Sequence, residues 1–166
     1  MSLRILGIDP ALGTTGYGVI EVEGTAIRLI DAGVVRSNSK TSLEMRLVEI
    51  FDGVCEIIDD LQPNCMAIEE LYSHYDRPTT AILMGHARGA IFLAAAKRKL
   101  QVYHYPATKI KKTLTGNGHA PKAQMQMAIK LQLTLKKFPE PADVADALAI
   151  ALTHHHHRAV NAILDL

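Results

Sequence analysis

The sequence predicts an α/β fold on a mixed sheet, and three observations carry that expectation. Ile5-Leu6-Gly7-Ile8-Asp9 is apolar at nearly every position and ends on a carboxylate, and a glycine-punctuated turn and a second apolar run, through Val19-Ile20, follow it. That reads as strand, tight loop, strand, with the first strand buried on both faces in mid-sheet. Gly24 divides the next apolar stretch into a hairpin of antiparallel strands. Further on, an amphipathic helix pattern leads into a short apolar run ending at Glu69-Glu70, the helix-then-strand order that lets a strand lie parallel to the first.

The elements follow in order. The first strand covers about residues 4–9, the second 16–23 and the third 26–36. Ser39 to Ser42 offer helix caps, and Leu43, Leu47, Ile50, Val54, Ile57, Ile58 and Leu61 recur every three or four residues along one helix face. Pro63-Asn64 stops that helix, and Cys65-Met66-Ala67-Ile68 is the fourth strand. Parallel pairing with the first strand would bring Asp9 and Glu69 to the same end of neighbouring strands. Pro78-Thr79-Thr80 opens a second helix, from about 81 to 99, apolar nearly all round with small residues at Gly85 and Gly89. One of its sides suits the sheet and the other a second subunit. Gln101 to Tyr105 is the fifth strand. A basic helix at about 108–114, a Gly116-Asn117-Gly118 turn, a helix at about 121–135, a proline break at 138–141 and a last helix from about 142 to 164 complete the chain.

With 166 residues the chain is expected to form a single domain, 1–166, with a core of its own. Its hydrophobic fraction of 48% and charged fraction of 21% are those of a soluble globular protein. Cys55 and Cys65 lie in apolar segments and read as reduced core residues. No signal-peptide pattern is seen, and the longest apolar run, 81–96, is broken by His86 and Arg88 and reads as too short and too polar for a bilayer. The expected location is the cytoplasm, without a membrane. The net charge of +1 hides an asymmetry, because no acidic residue lies between Asp76 and Glu140 while twelve basic ones do. Such a block fits a polyanionic partner, and equally a set of solvated helix faces.

Four carboxylates stand out. Asp9 and Glu69 end apolar strands, where an unpartnered charge is costly. A cap on the following turn would also explain Asp9. Asp143 and Asp146 share one face of the first turn of the last helix, where capping and the helix dipole alone would favour acids. Yet Asp146 enters an apolar run, Ala147 to Leu152, and needs a partner there. Carboxylates alone suit hard cations such as Mg²⁺ or Mn²⁺, and a carboxylate-bound metal pair can activate water and stabilise the leaving oxygen of a phosphodiester. Glu70 is the neighbour to be told apart from Glu69, and strand alternation turns it to the opposite side. Tyr72, His74 and Tyr75 read as loop residues able to stack on unpaired bases or simply to pack. The run His154 to His157 lies inside the last helix pattern, where a helix gathers only some of the four, which argues against a metal site. Gly13-Thr14-Thr15-Gly16 resembles a phosphate-cradling turn but lacks the Gly-Lys-Ser/Thr ending of a Walker loop.

These motifs together resemble one family. Ile5 to Pro10 with Thr15-Gly16-Tyr17-Gly18-Val19, the strand Ala67-Ile68-Glu69, the helix motif Gly85-x-Ala87-Arg88-Gly89, and the stretch from Asp143 to Ala151 are similar in kind and spacing to the RuvC family of bacterial Holliday junction resolvases, over essentially the whole chain. The resemblance implies a ribonuclease H-like fold, a five-stranded mixed sheet with helices on both faces. It implies a homodimer that binds four-way junction DNA in recombination and repair. The expected reaction is a pair of symmetric Mg²⁺-dependent nicks leaving 5′-phosphate and 3′-hydroxyl ends, with two ions per subunit and Mn²⁺ as a substitute. It also implies a RuvA–RuvB branch-migration complex as partner. Asp9, Glu69, Asp143 and Asp146 match the family's catalytic, metal-holding acids, with Asp143 the position where some members carry histidine. Lys111 and Lys122 match basic residues for DNA binding and cleavage, Lys122 also as a catalytic group, and Tyr72 matches an aromatic that meets unstacked bases. The chain departs from the pattern at Ala11, where glycine is frequent, and in its longer histidine run.

Two other classes fit parts of the sequence. The turn after Asp9 is similar to the phosphate loop of actin-like ATPases and sugar kinases, but those need two such domains to clamp a nucleotide. A non-catalytic junction-binding module would account for the basic block, but would not need four acids.

Overall fold

Period-two alternation splits the central strands between two cores. In β1 (Leu3–Asp9) Ile5 belongs to one core and Leu6 and Ile8 to the other, and all three are fully buried. The computed structural model describes residues 2–71 and 78–164. Its strands, β1, β2 (Thr14–Glu23), β3 (Ala26–Arg36), β4 (Cys65–Glu69) and β5 (Gln101–Tyr105), form one sheet in the order β3-β2-β1-β4-β5. β1–β2 and β2–β3 are antiparallel, and β1–β4 and β4–β5 are parallel. The mid-sheet place expected for the first strand is therefore the observed one.

Helices α1 (Leu43–Leu61) and α2 (Pro78–Lys97) cover one face, their Ile50, Val54 and Ile91 packing with Leu6, Ile8, Met66 and Ile68. Helices α3 (Ala107–Thr115), α4 (Lys122–Gln132) and α5 (Ala142–Leu164) cover the other, with Ile110, Ile129, Leu148 and Leu152 against Ile5, Ile20 and Ala67. Ser42 occupies the N-cap position of α1 without a side-chain cap bond, and Gln62 closes that helix in the left-handed region at φ 48°.

Two helices differ from expectation at their ends. α2 begins at Pro78, whose fixed φ suits the first turn, and stops at Lys97, with Lys99 left-handed at φ 56°. α4 ends at Gln132, and Thr134 at φ 53° turns the chain, with the Leu135 N–H donating to the Lys130 carbonyl at 2.9 Å. A threonine in a position that usually takes glycine hides this stop from a pattern search. The expectation that the 81–96 run is too short and too polar for a bilayer is also corrected. α2 is long and apolar enough by length and composition to cross one. In the fold it instead covers the sheet, with Ala87, Ile91, Ala94 and Ala95 buried.

Candidate active site

The close seat of α5 on the sheet sets the site. A Cβ on Gly7 would lie 2.0 Å from the Ala147 carbonyl oxygen, and one on Gly16 would lie 2.0 Å from that of Asp143. Only glycine permits this approach of helix backbone to strand backbone. Asp9 pairs with Gly16 across the β1–β2 ladder, so the residue over which α5 starts is the direct neighbour of Asp9. β4 brings the fourth acid. Ile8 pairs with Ile68 in parallel register, so Asp9 and Glu69 come next on the two strands. Cys65 and Ala67 face the α5 core while Met66 and Ile68 face the other, and the same parity turns Glu69 toward α5. Glu70 lies past the end of β4 and is exposed, its N–H donating to the Tyr105 carbonyl at 2.9 Å.

The four acids act on one another electrostatically. Burial, then the charges of Asp146, Glu69 and Asp143, push the Asp9 carboxyl up to about 7, and Lys122 alone pulls it back. Burial and then Asp146 raise Glu69, against Lys111 and Arg88. At Asp146 the surrounding protein raises the pKa first, Lys122 lowers it, Asp143 raises it and Lys111 lowers it. Glu69 and Asp146 share a cavity of about 230 Å³ with Lys111, Lys122, Ile110 and Met125. Two of the sequence-predicted acids and both lysines therefore line one cavity, and Asp9 and Asp143 lie near enough for their charges to act on it. Among the described residues no group of three His, Cys, Asp or Glu side chains is already arranged to hold a metal ion. Tyr72, with His74 and Tyr75, lies outside the described residues.

The turn after Asp9 is held from both sides. The buried Thr15 hydroxyl donates to the Ala11 carbonyl at 2.8 Å and accepts from the Ala11 N–H at 3.4 Å. The Ser37 N–H donates to the Gly13 carbonyl at 3.1 Å, and the Ser37 hydroxyl donates to the Leu12 carbonyl. With these bonds the turn works as a rigid support for Asp9. Sequence reasoning missed that role for Thr15 and Ser37. It also missed Arg88, a buried guanidinium that donates to the Glu69 carbonyl. A lone arginine in an apolar helix was the available signal.

The histidine run spreads over separate partners. His154 is buried and shares a 2.7 Å hydrogen bond with the Tyr105 hydroxyl through Nδ1. His156 Nε2 meets Gln132 Oε1 at 2.7 Å, and His157 Nε2 meets Thr113 Oγ1 at 3.2 Å.

Comparison with known proteins agrees with this architecture. The family model for crossover junction endodeoxyribonuclease RuvC matches residues 5–154. A relative of that name from Rhodopirellula baltica is 56% identical over 152 residues, which is 92% of this chain and 85% of the relative. Thermus thermophilus RuvC, solved in complex with Holliday junction substrate, superposes with a TM-score of 0.91 at 33% identity, covering 96% of each chain. A second structure of T. thermophilus RuvC gives 0.88, again at 33% identity, over 96% of this chain and 97% of that one. The fold is ribonuclease H-like, and the chain belongs to the RuvC family of crossover junction endodeoxyribonucleases.

Proposed function

We propose that this chain resolves four-way DNA junctions as a homodimer, each subunit hydrolysing one phosphodiester in one of two opposed strands and leaving a 5′-phosphate and a 3′-hydroxyl. The observation that carries this reading is a cavity that joins Glu69 and Asp146 to Lys111 and Lys122, with Asp9 and Asp143 near enough for their charges to act on these acids, in a chain whose relative from T. thermophilus is solved with Holliday junction substrate.

RuvC-family nucleases are metal-dependent. The four acids are the groups that would hold the metal, and they fit it in two ways. Their donor atoms are all hard carboxylate oxygens, and Asp9 carries a repulsion from three other acids that Lys122 only partly offsets. We assign Mg²⁺, two per subunit, with Mn²⁺ as a substitute. Such cations, when bound, supply activation of the attacking water and stabilisation of the leaving oxygen. The residues of the chain do the remaining work. Lys122 faces Asp9 and Asp146 and is suited to hold the scissile phosphate and steady the negative charge that develops there. Lys111 binds the phosphate backbone, and Tyr72 stacks on bases unpaired at the crossover. Arms of duplex DNA extend over the basic block, where binding is mostly electrostatic.

The dimer uses α1 and α2. Leu47, Val48, Phe51, Gly89, Ala90 and Leu93 line an apolar groove of about 460 Å³ between them. Leu93 and Ile82 remain 55% and 60% exposed, an apolar surface that a two-fold partner would cover. The setting is the cytoplasm, with a RuvA–RuvB branch-migration complex as partner. The test is a synthetic four-way junction incubated with the chain in Mg²⁺ and in EDTA. Paired symmetric nicks in Mg²⁺ and binding without nicks in EDTA are expected. Binding without nicks in both would leave a junction-binding module.

A further inference from the structure

The end of β4 is fixed by a device outside the acid cluster. The Glu70 N–H points toward β5, because it donates to the Tyr105 carbonyl at 2.9 Å. The Glu69 carbonyl belongs to the same planar peptide and therefore points the other way, toward β1. There β1 has just ended at Asp9, and Pro10 has no N–H to extend the ladder. The donor that reaches this carbonyl is Nη1 of Arg88, from the middle of α2.

Arg88 is held in its turn. Its guanidinium carbon lies 5.2 Å from the ring centroid of Phe92, one helical turn on. Phe92 meets His104 of β5 edge to face, with ring centroids 5.5 Å apart. The residue is only 8% exposed. A buried guanidinium needs hydrogen bonds and a nearby negative charge, and the end of β4 supplies a carbonyl and the Glu69 carboxylate.

We infer that Arg88 is a positioning residue for cleavage: by taking the Glu69 carbonyl it locks the Glu69–Glu70 peptide from both sides and so aims the Glu69 carboxylate into the cavity it shares with Asp146 and Lys111. This rests on the reading of Glu69 as one of the acids that hold the catalytic cation. Groups that orient such acids typically change metal affinity or activity about 10- to 100-fold when removed. Arginine at this position also does what lysine cannot, since its planar fork reaches a carbonyl while lying over a ring.

The test uses the full-length chain as Arg88→Met, Arg88→Lys and, as control, Glu69→Gln. Each is measured for thermal unfolding, sedimentation, junction binding, Mn²⁺ affinity by calorimetry without DNA, and single-turnover cleavage against Mn²⁺ concentration. The expected result is a folded, dimeric, junction-binding Arg88→Met with Mn²⁺ affinity lowered about 10- to 100-fold and cleavage partly restored at high Mn²⁺. Arg88→Lys should show the same defect, and it carries the test alone if Arg88→Met does not fold. Wild-type Mn²⁺ affinity and cleavage in a folded Arg88 variant would overturn the inference, as would a loss explained wholly by dimer dissociation or unfolding. A Glu69→Gln chain that cleaves and binds Mn²⁺ like wild type would instead remove the reading of Glu69 on which the inference rests, and would overturn it for that reason.

Discussion

Helix α5 carries two polar clusters, and they are built on opposite principles. At its first turn Asp143 and Asp146 join Asp9 and Glu69, and burial, then neighbouring carboxylates, make Asp9, Glu69 and Asp146 harder to ionise. Roughly 16 Å further along, at 1.5 Å per residue, His154, His156 and His157 bond separately to Tyr105, Gln132 and Thr113. Burial, and then the charges of Arg158, His157 and His155, lower His154 to about 4, so it is neutral at neutral pH and shares its hydrogen bond without a charge to offset. The histidine cluster finds most of its partners within the fold and serves it, with His154 Nε2 alone, among the described residues, buried without a hydrogen bond. The acid cluster is held together against its own repulsion by strand register and glycine-mediated packing, and the basic side chains of the chain relieve it only in part. Polar groups that burden one another inside a stable fold mark a ligand site.

That contrast predicts different losses. The largest belongs to the acids. Asp9→Asn should cut single-turnover cleavage of a four-way junction about 10³-fold or more, the several kcal/mol of transition-state stabilisation that a metal-held charge supplies. Junction binding measured by gel shift should persist, since the substitution removes a negative charge facing phosphate. At the other cluster, His154→Ala should destabilise the chain by about 2–4 kcal/mol in urea unfolding, from a cavity and an unpaired Tyr105 hydroxyl. The cleavage rate per folded molecule should stay the same.

A smaller effect separates the clusters by pH. The Asp9 pKa is raised by folding, from 3.8 to about 7. The stability tied to its proton is thus fully present below about 3.8 and lost as pH rises through about 7. In EDTA, Asp9→Asn should therefore be more stable than wild type by about 1–3 kcal/mol at pH 8, with almost no difference at pH 4. Equal stability at pH 8 would mean that the acids do not burden one another. Smallest is the contribution of a lysine on the DNA surface. Lys111→Ala should make the log–log salt dependence of junction binding shallower by roughly one if it meets one phosphate, and an unchanged slope would mean that Lys111 serves the cavity alone.

The acids were legible because their positions follow from periodicity. Period two and parallel pairing bring Asp9 and Glu69 to one strand end, and a spacing of three puts Asp143 and Asp146 on one helix face. What joins the two pairs was not legible. Gly7 and Gly16 read as ordinary members of a strand and a turn, whereas they are the floor on which α5 rests. A glycine in a strand signals close approach but not which element approaches. The reach of Arg88 to the Glu69 carbonyl was hidden likewise, because it depends on where β1 stops and on the crossing of α2. Periodicity describes single elements, and those two contacts belong to the packing between elements.

The central claim is that the four carboxylates are held close enough to share one cation site. The most direct measurement is a ¹³C NMR titration of the Asp9 carboxyl, in EDTA and then in saturating Mg²⁺. The account predicts a midpoint near 7 without metal and a fall of several units when Mg²⁺ binds. An ordinary midpoint near 4, unmoved by Mg²⁺, would contradict it.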